Sequence, residues 1–402
     1  MWTSPKFESR GMSAIAVEKH ERPELAKHDS SILDLVFVLD CTGSMGSYID
    51  SATQNIRSIV EEIVISEKSD IKLALVEYRD HPPQDHTFVT RAHDFTASVK
   101  QMKGWLEDCT AVGGGDAPEA VADAMHDVLK LSWRAEATKI CILITDAPPH
   151  GLDPSGDSFP NGCPNGLDPI KIAREMAEKH ITLYTVGVGD MRLGHRDFFM
   201  SVAYITGGQY VPMQNAKLLA QVIIGGVREE ISIDKLMAEA QQDIDKEMRQ
   251  AELDGVDERE TAIRINRIFT TRNMKVGQFQ SPTAISTMAR EHYSKCSDLN
   301  ELKKSYKMKL APSSPVEGGD FLRATARKIK TKKRSSVIKS MAGCILGDKT
   351  KDESSDLDEE DLKTVAPIAP ARKAELEYGY KEQEAVSIEQ TERIVQKMKS
   401  RK

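Results

Sequence analysis

The chain alternates short apolar runs with stretches in which apolar residues recur at helical spacing. Continuous apolar runs end at Asp40 and span Ile71–Val76, Lys139–Thr145 and Ile181–Val188. Runs of this length are typical of strands that are buried on both faces of a parallel sheet. Between the first two runs, the apolar residues of Ser47–Ile65 form one face of a predicted helix. This alternation predicts an α/β fold with a doubly wound, mostly parallel sheet.

Shorter segments complete the predicted sheet and its helices. An edge strand is predicted at Phe88–Phe95 and a short strand at Gln209–Met213. Further helices are predicted at Ser98–Cys109, Pro118–Leu131, Ile170–His180 and Asn215–Glu230. Pro118 is expected in the first turn of its helix, where proline is favoured. In such folds the ligand crevice lies at the carboxyl ends of the strands.

The character of the chain changes after residue 230. Ile231–Arg272 is charged and helix-prone, Arg323 to Lys339 is basic, and Lys351 to Asp361 is strongly acidic. Such composition predicts helices joined by linkers of low order, part of them disordered. The expected organisation is a flexible lead-in (1–30), an α/β domain (31–230), a charged helical region (231–310) and a linker with a low-order tail (311–402).

Net charge, apolar runs and cysteine spacing bear on which binding partners and which cellular location are expected. The 402 residues carry a net charge of −7, which gives no general footprint for nucleic-acid binding. No apolar run approaches the length of a membrane span, and the N-terminus has no apolar signal-peptide segment. The six cysteines have no paired spacing, so reduced thiols and a cytoplasmic location are expected.

Oxygen-bearing side chains follow three of the predicted strands. Asp40, Thr42 and Ser44 follow the first strand, Glu119 lies in a glycine-rich loop, and Asp146 follows Lys139–Thr145. Carboxylates and hydroxyls are ligands for hard cations, so Mg²⁺ or Mn²⁺ is expected rather than zinc. Hydroxyl ligands neutralise less charge than carboxylates do. The ion would therefore accept one more anionic oxygen, such as an Asp or Glu side chain of a partner.

Several motifs carry a family resemblance. DCTGS at Asp40 resembles the DxSxS signature of the metal-ion-dependent adhesion site of von Willebrand factor type A (VWA) domains. GGGDAPEAV, LITDAPPHG and FPNGCPNGLDP resemble the corresponding loops of alpha-kinases that contain a VWA domain. The resemblance covers Leu33 to Glu230 and includes no kinase domain.

The resemblance implies a role for each candidate ligand. Asp40, Thr42 and Ser44 take the positions of the first loop, and Asp146 takes that of the third-loop aspartate. The DxPE run is similar to that of integrin beta A-domains, which makes Glu119 the second-loop ligand. The implied function is a binding module that uses Mg²⁺ or Mn²⁺ to capture an acidic residue of a protein partner, without enzymatic activity.

Two other functions stay open at this point. Asp40 is also placed as the nucleophile of a Mg²⁺-dependent phosphatase, although that family normally has DxD and here the third position is Thr42. The chain is alternatively a regulatory remnant of a VWA alpha-kinase. We favour a solvated linker for Arg323 to Lys339. Contact of this stretch with an anionic membrane or with nucleic acid is the alternative.

Other polar residues receive structural interpretations. Asp116 is expected to shape its loop rather than bind the ion directly. Cys163 is expected to be a packed or free thiol, because no basic partner is evident beside it in sequence. Four histidines fit no zinc spacing and are expected at the surface or in loops: His81, His86, His93 and His150.

Overall fold

The computed structural model describes residues 32–67, 70–310 and 378–400, which all belong to one compact unit. The predicted lead-in over 1–30, the basic stretch at 323–339 and the acidic stretch at 351–361 lie outside the described residues. Within the described ranges, no helix has both the length and the apolar character needed to cross a membrane.

A six-stranded sheet forms the centre of the fold, in the order β3-β2-β1-β4-β5-β6. All neighbouring strands are parallel except β3, which pairs with β2 in the antiparallel sense at one edge. The predicted doubly wound, mostly parallel sheet is confirmed. The strands are β1 Ile32–Asp40, β2 Asp70–Tyr78, β3 Thr90–Thr96, β4 Thr138–Thr145, β5 Ile181–Val188 and β6 Tyr210–Met213.

Helices cover both faces of this sheet, because its central strands are apolar on both sides. In β1, Leu35, Phe37 and Leu39 belong to one buried cluster, whereas Val36 and Val38 belong to the other. This alternation follows from the two-residue period of a strand. The helices of this part are α1 Gly46–Glu67, α2 Val99–Asp108, α3 Val121–Val128, α4 Pro169–Glu178 and α5 Leu193–Ile205.

The order in which strands are added to the sheet reverses at β1. Strand β2 lies on one side of β1 and β4 lies on the other. The loops that follow β1 and β4 therefore open over a switch in strand order, where α/β proteins form their ligand crevices. Asp40 is the last residue of β1 and Thr145 the last of β4. The fold thus brings the predicted ligand loops to one place.

One helix starts later than its sequence suggested. The helix expected from Pro118 begins only at Val121. The backbone N–H of Glu119 instead donates to the carbonyl oxygen of Pro148 at 3.0 Å, and Glu119 forms a bridge with Pro149. This pairing to the loop after β4 holds residues 118–120 out of the helix.

The C-terminal part begins with an unusually long helix. Helix α6 spans Leu219–Asp254, which is 36 residues, and so crosses the domain boundary expected at residue 230. Its buried stripe continues through Ile233, Leu236 and Ala240. The charged residues between them hid this stripe in the sequence. The remaining elements are α7 Glu258–Thr271, β7 Lys275–Gln280, α8 Thr287–Glu291, α9 Leu299–Leu310, β8 Gly379–Ala385 and α10 Ile388–Ser400.

Residues 378–400, assigned to the low-order tail from sequence, form β8 and α10. Strand β8 pairs with β7 in the antiparallel sense, and α10 buries Ile394, Val395 and Met398 in a third apolar cluster with α6 and α7. From its charge, this segment was expected to be helix-prone but to belong to a low-order tail. The structure differs because the charged side chains of α10 find buried partners of opposite charge.

Arg393 is the centre of this buried charge network. Its guanidinium donates to Glu229 at 2.7 Å, to Glu230 at 3.0 Å and to the hydroxyl of Tyr184 at 2.5 Å. Its Nε also donates to the carbonyl oxygen of Gly207 at 2.9 Å. Lys397 forms a second ion pair with Glu230. A buried pair of this kind is costly to break, because the remaining partner keeps an uncompensated charge.

Cys41 and Cys109 form a disulfide across 68 residues of sequence. The expectation of reduced thiols is wrong for this pair in the structure. Cys41 directly follows β1 and Cys109 caps the end of α2, so the fold brings together two residues whose spacing carries no signal. Cys141, Cys163 and Cys296 are free thiols, and Cys141 is buried as expected.

Candidate metal centre

The first loop of the centre is organised by the side chain of Asp40. This residue is 0% exposed, and its Oδ1 accepts hydrogen bonds from the Thr42 backbone N–H at 3.0 Å and the Thr42 hydroxyl at 2.6 Å. Its Oδ2 accepts a hydrogen bond from the hydroxyl of Thr145 at 3.1 Å. Ser44 lies in the short 3-10 turn that follows, and it is exposed. The Thr42 hydroxyl is thus held against a buried carboxylate at the start of this turn.

The second loop places Glu119 next to the first loop. Gly114 has a φ of +84°, and a Cβ placed there would lie 2.8 Å from Glu119 Oε1 and 3.3 Å from Thr42 Cβ. The Glu119 carboxylate therefore lies next to Thr42, with only a glycine between them. The backbone of Gly43 also donates to the carbonyl oxygen of Gly113, which joins the two loops directly. Positive φ and close packing both require glycine at position 114.

The third loop contributes Asp146, whose negative charge acts on the other two carboxylates. Burial and, after it, the charge of Asp146 together raise the pKa of Asp40 to about 7, although hydrogen bonds from Thr42 and Thr145 oppose the rise. The pKa of Glu119 is raised to about 10 by burial together with repulsion from Asp40, Asp80, Asp116 and Asp146. The structure thus gathers carboxylates whose mutual repulsion a cation would relieve.

These residues fit a hard divalent cation. Glu119 is 4% exposed, and in the described part of the chain no hydrogen-bond donor reaches its Oε2. A buried carboxylate oxygen without a partner is costly, and a metal ion is one way to satisfy it. The donor set consists of carboxylate and hydroxyl oxygens, which suits Mg²⁺ or Mn²⁺. Asp40, Thr42 and Glu119 are brought together directly, and Asp146 is coupled to them through its charge.

A second polar group beside the centre was not recognised from sequence. Asp80, which follows β2, accepts hydrogen bonds at 2.6 Å from His150 Nε2 and from the backbone N–H of His81. His150 Nδ1 lies 2.9 Å from Asp157, and these hydrogen bonds help raise the pKa of His150 to about 9 although burial opposes the rise. The signal was the run of polar residues, YRDH, at the end of an apolar strand.

Asp116 has the loop-shaping contact that the sequence suggested. Its Oδ2 accepts a hydrogen bond from the backbone N–H of Ser158 at 2.6 Å. This contact links the glycine-rich loop to the long loop that follows β4.

Two of the four histidines that were expected at the surface or in loops lie in loops but are buried. His81 and His150 are buried, at 3% and 3% exposed, because both are packed around Asp80 and Phe159. His86 is exposed, and His93 is partly exposed. For Cys163, burial and the neighbouring carboxylate raise the thiol pKa to about 12, which agrees with the expectation that it is no nucleophile.

Comparisons with known proteins identify a related domain. Residues 34–197 match the family model of the von Willebrand factor type A domain. The alpha-protein kinase vwkA of Dictyostelium discoideum is 30% identical over 174 residues, which is 42% of this chain and 28% of that protein. A putative ariadne-like RING finger protein, R811, of Acanthamoeba polyphaga mimivirus is 26% identical over 204 residues, 49% of this chain and 20% of that protein.

These matches define a domain rather than a whole protein. The matched regions span about a quarter of the length of the two curated relatives. A solved von Willebrand factor type A structure from Catenulispora acidiphila is 17% identical, with a TM-score of 0.36, over 50% of this chain and 43% of that chain. The family match over 34–197 includes all three candidate ligand loops, and the chain therefore contains a von Willebrand factor type A domain.

Proposed function

We propose that this domain is a metal-dependent protein-binding module. Asp40, Thr42, Ser44, Glu119 and Asp146 would hold Mg²⁺ or Mn²⁺, and an Asp or Glu side chain of a protein partner would complete the coordination of the ion. The presence of a VWA domain supports a role in protein interaction. The ion would supply the positive charge that an acidic partner residue needs for binding.

The unpartnered oxygen of Glu119 is the observation that carries this proposal. It lies among several carboxylates, and hydrogen bonds from basic side chains reach neither Asp40 nor Glu119 in the described residues. Such an arrangement stores electrostatic repulsion, which a divalent cation would convert into attraction. Thr42 and Ser44 would supply neutral hydroxyl ligands, which neutralise less of the ion's charge than carboxylates in their place, and this favours one further anionic ligand.

The surroundings of Asp40 favour binding over phosphate hydrolysis. A carboxylate nucleophile needs one oxygen that can reach the substrate. Both oxygens of Asp40 accept hydrogen bonds, from Thr42 and Thr145, and the side chain is 0% exposed. These contacts suit a residue that orients the first loop rather than one that attacks a substrate.

A Mn²⁺-binding measurement tests the metal site, with the concentration of free Mn²⁺ monitored by electron paramagnetic resonance. Wild type should bind Mn²⁺ in competition with Mg²⁺, and Asp40→Ala should lose this binding because the central carboxylate is gone. Asp50→Ala is the matched control, since Asp50 is an exposed aspartate of α1. Equal Mn²⁺ binding by wild type and Asp40→Ala would contradict the site.

Capture experiments then test the partner. Immobilised wild type is incubated with extract in Mg²⁺ or in chelator, beside Asp40→Ala and Asp50→Ala. A true partner should be retained only with Mg²⁺ and only by wild type and Asp50→Ala. Replacing an acidic residue in the captured protein by its amide should release it. Capture that survives both chelator and Asp40→Ala would refute metal-mediated binding. The absence of aryl phosphate hydrolysis in the same samples is expected.

A further inference from the structure

Three side chains of different chemistry converge outside the ligand set described above. His81 Nε2 lies 2.9 Å from Asp123 Oδ2, and Cys163 Sγ lies 3.1 Å from the same oxygen. The sulfur and the imidazole nitrogen are 3.8 Å apart. His81 follows β2, Asp123 belongs to α3, and Cys163 lies in the long loop after β4. The fold therefore joins three distant segments at one polar point.

We propose that His81, Asp123 and Cys163 bind a zinc ion. Imidazole nitrogen, carboxylate oxygen and thiolate sulfur are the three donor types that zinc prefers in proteins. In a tetrahedral site, zinc bond lengths place such donor atoms roughly 3.3–3.6 Å from one another. The distances of 2.9, 3.1 and 3.8 Å lie on both sides of this range, so small side-chain adjustments bring all three donors onto one ion.

The neighbouring contacts suit a metal ligand. The amide of Asn165 donates to Asp123 Oδ1 at 2.7 Å and so holds the carboxylate with Oδ2 towards His81 and Cys163. Hydrogen bonds of this kind orient metal ligands in known sites. His81 and Asp123 are 3% and 6% exposed, whereas Cys163 is partly exposed and leaves an approach for the ion.

The geometry argues against a catalytic cysteine. A nucleophilic cysteine needs the histidine beside its sulfur, with the carboxylate behind the histidine. Here Asp123 Oδ2 is nearer to the sulfur than His81 Nε2 is, at 3.1 Å against 3.8 Å. The three donors surround a common point instead of forming a relay. The alternative without metal is a closed hydrogen-bond network, and it predicts no bound zinc.

The site would fasten the long loop after β4 to the sheet and to α3. Three protein ligands leave the fourth position of a tetrahedral ion open to water or to another ligand. Cys41 and Cys109, which also lie near a carboxylate, are joined in a disulfide and so offer no thiolate. Among the described residues, Cys163 is therefore the free thiol with both a histidine and a carboxylate beside it.

Zinc content measured by mass spectrometry tests the proposal on the full chain. Protein produced with added zinc is dialysed extensively against buffer that contains Mg²⁺. Wild type should retain about one zinc per chain, as expected for one tetrahedral site. Cys163→Ser and His81→Ala should lose it. Cys296→Ser is the matched control, because Cys296 is a free cysteine buried elsewhere. Asp40→Ala should keep its zinc, which separates this site from the proposed Mg²⁺ site.

Cobalt substitution of wild type gives a second measurement that needs no variant to fold. Co²⁺ bound by a thiolate has a charge-transfer band in the near ultraviolet, and tetrahedral Co²⁺ has intense visible bands. Both are expected, and both should be absent in Cys163→Ser. Wild type without zinc and without a thiolate–cobalt band would overturn the proposal and favour the hydrogen-bond network. Zinc retained equally by Cys163→Ser would overturn the ligand assignment.

Discussion

Replacing Asp40 by asparagine should stabilise the metal-free protein at pH 8 and remove its response to Mg²⁺. In the folded protein, burial raises the pKa of Asp40 to about 7, and Asp146 contributes to the rise. A carboxyl group whose folded pKa is raised stabilises the folded state fully only below its unfolded pKa. That contribution is lost as the pH rises from about 4 to about 7. At pH 8 the wild-type protein therefore contains a buried charge that opposes folding.

The size of this effect follows from the pKa and the hydrogen bonds. A pKa raised from 3.8 to about 7 corresponds to roughly 4 kcal/mol of lost stability at pH 8. Asparagine keeps an oxygen for Thr42 but cannot accept the hydrogen bond from Thr145, at a cost of about 1 kcal/mol. Thr145 also lies 3.1 Å from the carbonyl oxygen of Ala147 and can donate there. The expected net gain is about 2–3 kcal/mol.

Urea denaturation at pH 8 and pH 5, in chelator and in Mg²⁺, measures each part of this prediction. Wild type should gain about 2.7 kcal/mol when Mg²⁺ is at 100 times its Kd, and Asp40→Asn should gain nothing. At pH 5 the advantage of the variant in chelator should shrink, because Asp40 of wild type is then protonated. Asp50→Asn should behave as wild type. The reasoning fails if Asp40→Asn is less stable than wild type at pH 8 in chelator, or if Mg²⁺ stabilises both equally.

Two further substitutions test the architecture around the site and the C-terminal helix. Gly114→Ala should weaken Mg²⁺ binding as well as stability, since its Cβ would lie 2.8 Å from Glu119 Oε1. Gly156→Ala, which also has positive φ but meets nothing within 4 Å, should cost only about 1 kcal/mol in urea denaturation and leave Mg²⁺ binding unchanged. Arg393→Ala should cost about 3–5 kcal/mol in the same assay, because it leaves two buried glutamates without their guanidinium partner. Arg57→Ala, which breaks only an exposed pair, should leave stability nearly unchanged, and an equal loss in both arginine variants would contradict this ranking.

Local sequence patterns were sufficient to predict the sheet and the position of its ligand loops. The apolar runs are long and end in oxygen-bearing residues, so Asp40 and Asp146 could be placed at strand ends without knowledge of the fold. Glu119 was identified through a motif. The start of the following helix, α3, was not predicted correctly, because it depends on the pairing of Glu119 with Pro149, in a loop 30 residues away.

Features that depend on distant partners were missed for the same physical reason. His81 and His150 lie in loops, but their burial was not foreseen, because it depends on Asp80 and Phe159, which pack against them. The disulfide of Cys41 joins segments 68 residues apart. Spacing along the chain contains no information about such pairings. Only the packed fold decides whether a polar residue faces water or a partner.

The salt bridges of Arg393 also have a consequence for the order in which the protein folds. Arg393 and Glu230 are 163 residues apart, and closing a loop of that length costs about 4–5 kcal/mol in chain entropy. An ion pair alone does not offset this cost, so α10 must dock together with its apolar residues. Until it docks, Glu229 and Glu230 lack their arginine partner and favour hydration. We therefore expect the α6 segment around these glutamates to consolidate late, after the sheet has formed, in a single cooperative step.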